Sequence, residues 1–458
     1  MRITNLRFLL VLVLLIGLTS VLPAQTVINV AAGTDVISGA LKTAAAGSII
    51  QLTTSGGAYA ESGDVIVNKD ITIRAAAGLA NKPTIYSGGS NTFSVTAGGL
   101  NISGVKFDDP AQLLYFITVR SDTINTSTNW NLRVDNCDFF NCGQRCVYTS
   151  DGTMRAMDSL LITNSRFFDN VKMPLYEKGI RNTPTNKVQP GGAKYIKMEN
   201  CLIVGTSSTS DGWACYIEPA NRDSASYTWP KVLINHLTVD SMALGGINTY
   251  TTPAAVIQNC IVINSKDTAR YAFGAETGRF AGAPKSSIKN CIYNAFTNRF
   301  VTYGSSSSPG LAYPDTANII RATPTFVNAA ARNYTLAAGS VGKNAGTDGK
   351  DIGYIASGLA TAVESYSDLV PESFQLSQNY PNPFNPATTI RFSISKAGKY
   401  SVNVFNVLGQ KVASLYDGMA AAGEYSVRFD ASHLSSGMYI YTLTGDGVNI
   451  AKKMALLK

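Results

Sequence analysis

Between residues 71 and 293 apolar and polar positions alternate, and the alternation breaks at regular intervals. In each unit two alternating apolar positions lead to an Asn, and a second alternating pair starts on the next residue. One copy reads Leu132, Val134, Asn136, Cys137, Phe139; the next Leu160, Ile162, Asn164, Ser165, Phe167; a third Ile196, Met198, Asn200, Cys201, Ile203. Later copies centre on Asn259, between Ile257 and Cys260, and on Asn290, between Ile288 and Cys291. Residues two apart share a face of a strand, so the shift of parity at the Asn makes the chain bend there. Asn suits such a bend because it tolerates the left-handed conformation. Stacked units place these side chains in a column, each amide bonding to the next, which satisfies polar groups that are costly to bury unpaired.

The bend position runs through Ala75, Gly104, Asn136, Asn164, Asn200, His236, Asn259 and Asn290 at intervals of about 30 residues. Strand cores of fixed length with loops of unequal length predict a solenoid, because insertions are tolerated on one face of such a stack. A propeller of blades fits less well: no Trp-Asp or Gly-His signature repeats, and each unit is too short for four strands. On this reading His236 is an inward, hydrogen-bonded substitute for Asn. Cys137, Cys201, Cys260 and Cys291 follow the bend directly, where Ser165, Val105 and Leu237 stand in other units, so they read as small buried packing residues. Cys260 and Cys291 fall on adjacent units in an orientation poor for a disulfide, and Cys142 and Cys146 could close a local loop. The total of seven Cys leaves at least one thiol without a partner. With two His in the chain and no paired Cys-x-x-Cys motif, zinc is not expected.

The capping of the stack is also legible. Residues 35–41 predict a short helix over its open end, where it blocks edge pairing, and residues 48–52 predict a first strand. With these residues the region over 27–355 resembles the right-handed parallel β-helix family of pectate lyases, chondroitinase B-like lyases and related surface proteins. That resemblance implies an all-β fold and an extracellular setting; the fold itself carries lyases, hydrolases and non-enzymes alike.

Both ends of the chain speak to export. Arg2 and Arg7 precede the apolar run Phe8 to Leu18, and Pro23-Ala24-Gln25 follows, which is the build of a secretory signal peptide over residues 1–25. Residues 26–355 then form the β-helix and 356–372 a linker. Over residues 373–458 alternating strands are predicted at 390–394, 400–405, 425–429, 438–443 and 450–456, a small Ig-like β-sandwich. Asn379-Tyr380-Pro381-Asn382-Pro383-Phe384-Asn385-Pro386, Asn406-Val407-Leu408-Gly409-Gln410, Ala422-Gly423-Glu424-Tyr425, Ser435-Ser436-Gly437-Met438-Tyr439 and the tail Lys452 to Lys458 follow in order. This segment is similar end to end to the C-terminal sorting domain of the type IX secretion system of Bacteroidetes-type bacteria. The resemblance implies secretion or display at the outer-membrane cell surface, with the secretion machinery as partner of residues 373–458.

Charged residues make up 15% of the chain and the net charge is +8, without basic runs, which argues against nucleic acid as a partner. Counted from the bends, a column of segments lies 12 to 16 residues on: Cys146 to Tyr148, Pro174 to Tyr176, Cys215 to Ile217, Ile247 to Thr249 and Tyr271 to Phe273. Beside it stand Arg145, Asp151, Glu177, Lys178, Arg181, Glu218, Arg222 and Glu276, where long loops gather and a cleft is expected. Tyr148, Tyr176, Tyr216 and Trp213 form a candidate sugar-stacking strip, with inward stacking in the core as the other outcome; Trp130 and Trp229 are further candidates on loops. Resemblance to chondroitinase B-like lyases implies a β-elimination site on uronate-containing glycans. It would use Glu177 and Glu218 as calcium ligands, Lys178 as base, and Arg181 or Arg222 near the leaving oxygen. The chain departs from that family in lacking paired acidic ligands upstream of the Lys, since residue 175 is Leu. No Asp pair of the pectin-hydrolase kind is evident either. Two readings result: a carbohydrate-interacting β-helix protein, in its fullest form a calcium-using polysaccharide lyase acting as a monomer, or a non-catalytic surface adhesin or structural solenoid.

Overall fold

The computed structural model describes residues 25–457 apart from 120–130, 150–155, 171, 179–191, 206–211, 219–230, 250–253, 268, 270, 276–285, 297, 303–314, 357–363, 367–373, 380–381, 397, 421–422 and 433. The signal-peptide expectation thus falls outside the described residues. Among those described, no helix is long and apolar enough to cross a membrane. The chain divides into two compact units, residues 1–356 and 357–458.

The first unit is a parallel β-helix. Each turn of the stack has three faces, as in Asn131–Asp135, Asp138–Phe140 and Val147–Thr149. The first two faces share one 18-stranded sheet, because some strands run through the bend, and the third face is a separate 9-stranded sheet. Register aligns like with like. Ile102, Val134, Ile162, Met198 and Ile234 form one inward column, which is what alternation demands of a face buried on one side. On the second face Phe107, Phe139 and Phe167 stack at 4.8 and 4.6 Å with planes 2° apart. Helix Val36–Thr43 covers the N-terminal end, its first turn held by the Glu61 carboxylate, which accepts from Ile37 N (2.8 Å) and Ser38 N (3.2 Å). A strand Val27–Val30, not foreseen, pairs ahead of Ile49–Leu52.

From Gly104 on the bends behave as the sequence predicts in backbone and differ in side chains; Ala75, expected as the first of them, instead ends the strand Ile71–Ala75 without a left-handed turn. Asn136, Asn164, Asn200, His236, Asn259 and Asn290 all have φ near +50°, as does Asn318 one turn further on. Gly104 takes the same left-handed form at φ +72°, which its missing Cβ permits. The position sits at an outer corner and not in the core: Asn136 is exposed. The amide column is realised at Asn200 to Asn164 (2.9 Å) and Asn318 to Asn290 (3.2 Å). Elsewhere it is diverted, Asn164 donating to Asp135 (2.9 Å) and Asn259 to Asn235 (2.9 Å). The Cys that follow each bend are buried and free. Each thiol reaches back to the carbonyl two residues earlier, from 3.0 Å at Cys260 to 3.3 Å at Cys137 and Cys201, a bond that Ser165 makes at 2.8 Å. A small side chain able to donate therefore ties the bend, so Cys and Ser interchange there. Burial pushes the Cys137 and Cys201 thiols up to about 12, which leaves them unreactive.

His236 needs a correction. It is buried, yet by a segment from outside the core: its Nε2 lies 3.0 Å from Asp348 and its Nδ1 3.2 Å from the Gly353 carbonyl. Residues 342–355 run back along the corner as a strap. Asn290 donates to Ala345 O (2.6 Å), Asn259 exchanges bonds with Thr347 (2.9 and 2.8 Å), and Ile355 N donates to Asn200 (2.8 Å). Ahead of the strap the hairpin Phe326–Asn328 and Asn333–Leu336 lies over the second face. There Leu336 and Ile352 close over Ile261, Ile263 and Ile292, and Tyr334 and Tyr354 over Phe168 and Leu202.

The second unit is a sandwich of two four-stranded antiparallel sheets. One holds Gln375–Leu376, Ala387–Ile394, Gly423–Asp430 and Glu364–Tyr366; the last of these lies inside the stretch expected as a linker. The other holds Gly398–Asn406, Lys411–Ala420, Gly437–Gly445 and Val448–Leu456. Lys411–Ala420 escaped the sequence pattern because register shifts against its neighbour between Val402 and Asn403 and again between Val404 and Phe405, which breaks the two-residue period.

Candidate functional site

The third face is where chain register collects the expected site residues. Thr118, Tyr148, Tyr176, Tyr216 and Asn248 are successive partners in one row. Ile117, Val147, Leu175, Cys215 and Ile247, one position earlier, form the buried row. Alternation therefore turns the Tyr row to the outside, and the three Tyr are half-buried. Tyr148 and Tyr176 stack at 5.6 Å with planes 1° apart. Tyr115 continues the stack at 5.3 Å on one side and Tyr216 meets Tyr176 edge-on at 5.5 Å on the other. Of the two outcomes open for these rings, stacking in the core is thus excluded for the Tyr.

Arg145 sits at the corner just before this face. Its guanidinium carbon lies 5.0 Å from the Tyr148 ring centre and 4.5 Å from that of Tyr176. A cation over two ring faces is held by their quadrupoles and keeps its N–H donors in a fixed plane. Trp213 plays a different part from the one expected. It is only 7% exposed and packs on Tyr271 (5.1 Å) and Tyr216 (6.4 Å), with Met173 in the same cluster. A Cβ on Gly245 would fall 2.5 Å from the Trp213 ring, so the glycine makes the space the indole fills. Trp213 therefore packs against the rings of the strip.

The acidic and basic candidates separate. Glu177 was expected on the outer face with Lys178 and Glu218, and this is corrected: Glu177 pairs in register with the buried Ile217, follows Thr149 in that inward row, and is 1% exposed. Its Oε1 accepts from Ala193 N at 3.3 Å, where the next turn begins. Lys178 and Glu218 are direct register partners, one position further on. Glu177 and Glu218, the expected calcium ligands, thus occupy positions of opposite parity. Among the described residues no three His, Cys, Asp or Glu side chains converge on one point. Arg181, Arg222, Asp151, Glu276, Trp130 and Trp229 lie outside the described residues.

The sequence reading missed Tyr115 and Tyr271, which extend the aromatic strip at both ends. Tyr271 was visible in the repeat, as the start of a third-face segment; Tyr115 belongs to the turn of Gly104, where no Asn marks the bend.

No curated protein matches the chain. Among solved structures it is similar to the PL6 family alginate lyase AlyGC, at 15% identity and a TM-score of 0.40, over 65% of this chain and 40% of that one. A mutant of the same lyase gives 14% identity and a TM-score of 0.43 over the same shares. The chain thus spans well under half the length of those enzymes. Residues 378–456 match the secretion system C-terminal sorting domain. The β-helix is therefore cargo: the chain ends in a type IX sorting domain, which engages the secretion machinery and directs the protein to the cell surface or the medium.

Proposed function

We propose that the third face of the β-helix binds an extended acidic polysaccharide outside the cell, with Arg145, Tyr148 and Tyr176 at the centre of the contact. The observation that carries this reading is the Arg145 guanidinium held 5.0 and 4.5 Å from two stacked tyrosine rings. A planar, permanently charged donor set suits a sugar carboxylate, which it can meet with two parallel hydrogen bonds. Half-buried rings on successive turns, spaced like strands at about 4.8 Å, offer repeated flat apolar platforms to a repeating polymer. Export through the sorting domain puts this face where such polymers are found.

Cleavage of the bound polymer by β-elimination is the finer form of the proposal. Arg145 then offsets the uronate carboxylate, Lys178 takes the proton on the adjacent carbon, and Arg181 or Arg222 stands near the leaving oxygen. Lys178 follows Tyr176 by two residues on the same strand, which favours it as the base. The competing reading is an adhesin that binds on the same strip without chemistry.

The mature protein, incubated with alginate, pectate and glycosaminoglycans with and without calcium, decides among these. Unsaturated uronate seen by ultraviolet absorbance, and lost in Lys178→Ala at an unchanged melting temperature, supports the lyase. Binding without product supports the adhesin. Absence of both on acidic glycans overturns the polysaccharide reading.

A further inference from the structure

Within the sorting domain, the stretches that mark it as one contain two kinds of residue. Asn379, Phe384, Tyr439 and Met454 are buried and build the sandwich. Val407, Leu408, Met438 and Leu457 do not: they are 70%, 79%, 46% and 57% exposed. Register brings these four to one place. Asn406 pairs with Tyr439 and Tyr439 with Met454, so the turn after Asn406, the residue before Tyr439 and the tail after Met454 leave the same end of one sheet.

That end is rigid. The Asn406 side chain accepts from Leu408 N and Gln410 N, both at 3.0 Å, and donates to Gln410 Oε1 at 2.8 Å, while Gly409 takes φ +79°. The tail is pinned by Phe384, which donates its N–H to Ala455 O and accepts from Leu457 N, both at 2.9 Å. Ala455 N also donates to Asn382 at 2.8 Å. Side chains held in place yet left in water contribute nothing to the core, and a cluster of large apolar groups on a surface marks an interaction site. Lys411 and Lys453, both exposed, flank the cluster.

We propose that this sheet end, with Val407, Leu408, Met438 and Leu457 as its apolar centre, is the surface by which the sorting domain docks on the secretion machinery. The occupant it fits is a protein socket with apolar walls and an acidic rim. Burial of these side chains supplies the attraction, and Lys411 and Lys453 set the orientation.

The test uses the full-length chain in a bacterium that carries the type IX system, with protein quantified in medium, surface and periplasm. Val407→Ser/Leu408→Ser is expected to lower export at least ten-fold and leave folded protein in the periplasm. Lys411→Glu/Lys453→Glu lowers it less. Val327→Ser, at a comparably exposed apolar residue of the β-helix (58%), leaves it unchanged. Should the double Ser variant melt lower than the parent, Leu457→Ser, which lies beyond the last strand, carries the test with the same expected drop. Wild-type export from the double variant, or from Leu457→Ser, overturns the proposal. So does export that survives while the same substitutions abolish self-association in sedimentation, or flotation with phosphatidylethanolamine vesicles; the cluster would then serve a second copy or a lipid surface.

Discussion

Two flanks of the β-helix carry the same device and use it differently. On the second face Arg332 lies 5.3 Å from Phe140 and 4.5 Å from Phe168, rings that are themselves 5.1 Å apart. On the third face Arg145 lies at nearly the same distances from Tyr148 and Tyr176. Arg332 arrives from far along the chain, forms an ion pair with Asp169 at 2.6 Å, and belongs to the hairpin that brings Tyr334 over Phe168. Arg145 is local, three residues before Tyr148, and the rings it covers stay half-buried. An arginine over two stacked rings therefore has no meaning by itself. The segment that lies on top decides whether it is a clasp of the fold or a surface for something else.

The largest effects should come from breaking the clasp. Phe168→Ala removes a side chain that is 1% exposed and should cost roughly 3–5 kcal/mol of unfolding free energy in a urea titration, with glycan affinity intact. Tyr176→Ala should do the reverse. Its ring is half-buried, so stability should fall by much less, while affinity for acidic glycan drops at least ten-fold, about 1.4 kcal/mol. Equal effects of the two variants on both readouts would erase the distinction between the flanks.

Exchanging the arginines sharpens the same contrast at smaller amplitude. Arg332→Ala loses a cation over two rings and a partner for Asp169, and should cost about 1–2 kcal/mol of stability with binding unchanged. Arg145→Ala should leave the melting temperature nearly fixed and weaken acidic glycans while sparing neutral ones. Arg145→Lys should restore little, since an ammonium lacks the planar fork. Equal loss on neutral glycans would mean that Arg145 only shapes the strip.

The contrast between the flanks also marks what the sequence could show. The bends and the inward columns follow from local alternation, and Tyr148, Tyr176 and Arg145 were singled out by spacing, with the side on which the rings fall left open. The strap was not legible. Gly342 to Ile355 has no alternation, and its bonds to Asn259 and His236 span about ninety to one hundred and seventeen residues; nothing in either partner's neighbourhood announces them. The same blindness put His236 in the core. Glu177 was misplaced for a smaller reason: adjacent residues on a strand point opposite ways, so grouping Glu177 with Lys178 crossed the sheet. On the sandwich, register shifts hid one strand in the same manner.

The smallest predicted effect concerns the strap and depends on pH. Burial pushes the Asp348 carboxyl up, but the hydrogen bond and charge of His236, with help from Lys350, outweigh this and hold it below the usual carboxylate range. A carboxyl depressed in the folded state adds stability that is fully present above its unfolded value, about 3.9, and is lost as pH falls from there toward the folded value. Because Asp348 is exposed, solvent screening keeps the contribution to at most about 1 kcal/mol. Melting temperatures from pH 6 to pH 2 should therefore decline for the parent more steeply than for Asp348→Asn, with the two curves converging at the acid end. Parallel curves would mean that the ion pair does not hold the strap. The neutral bonds of Asn200, Asn259 and Asn290 would then be what closes this flank.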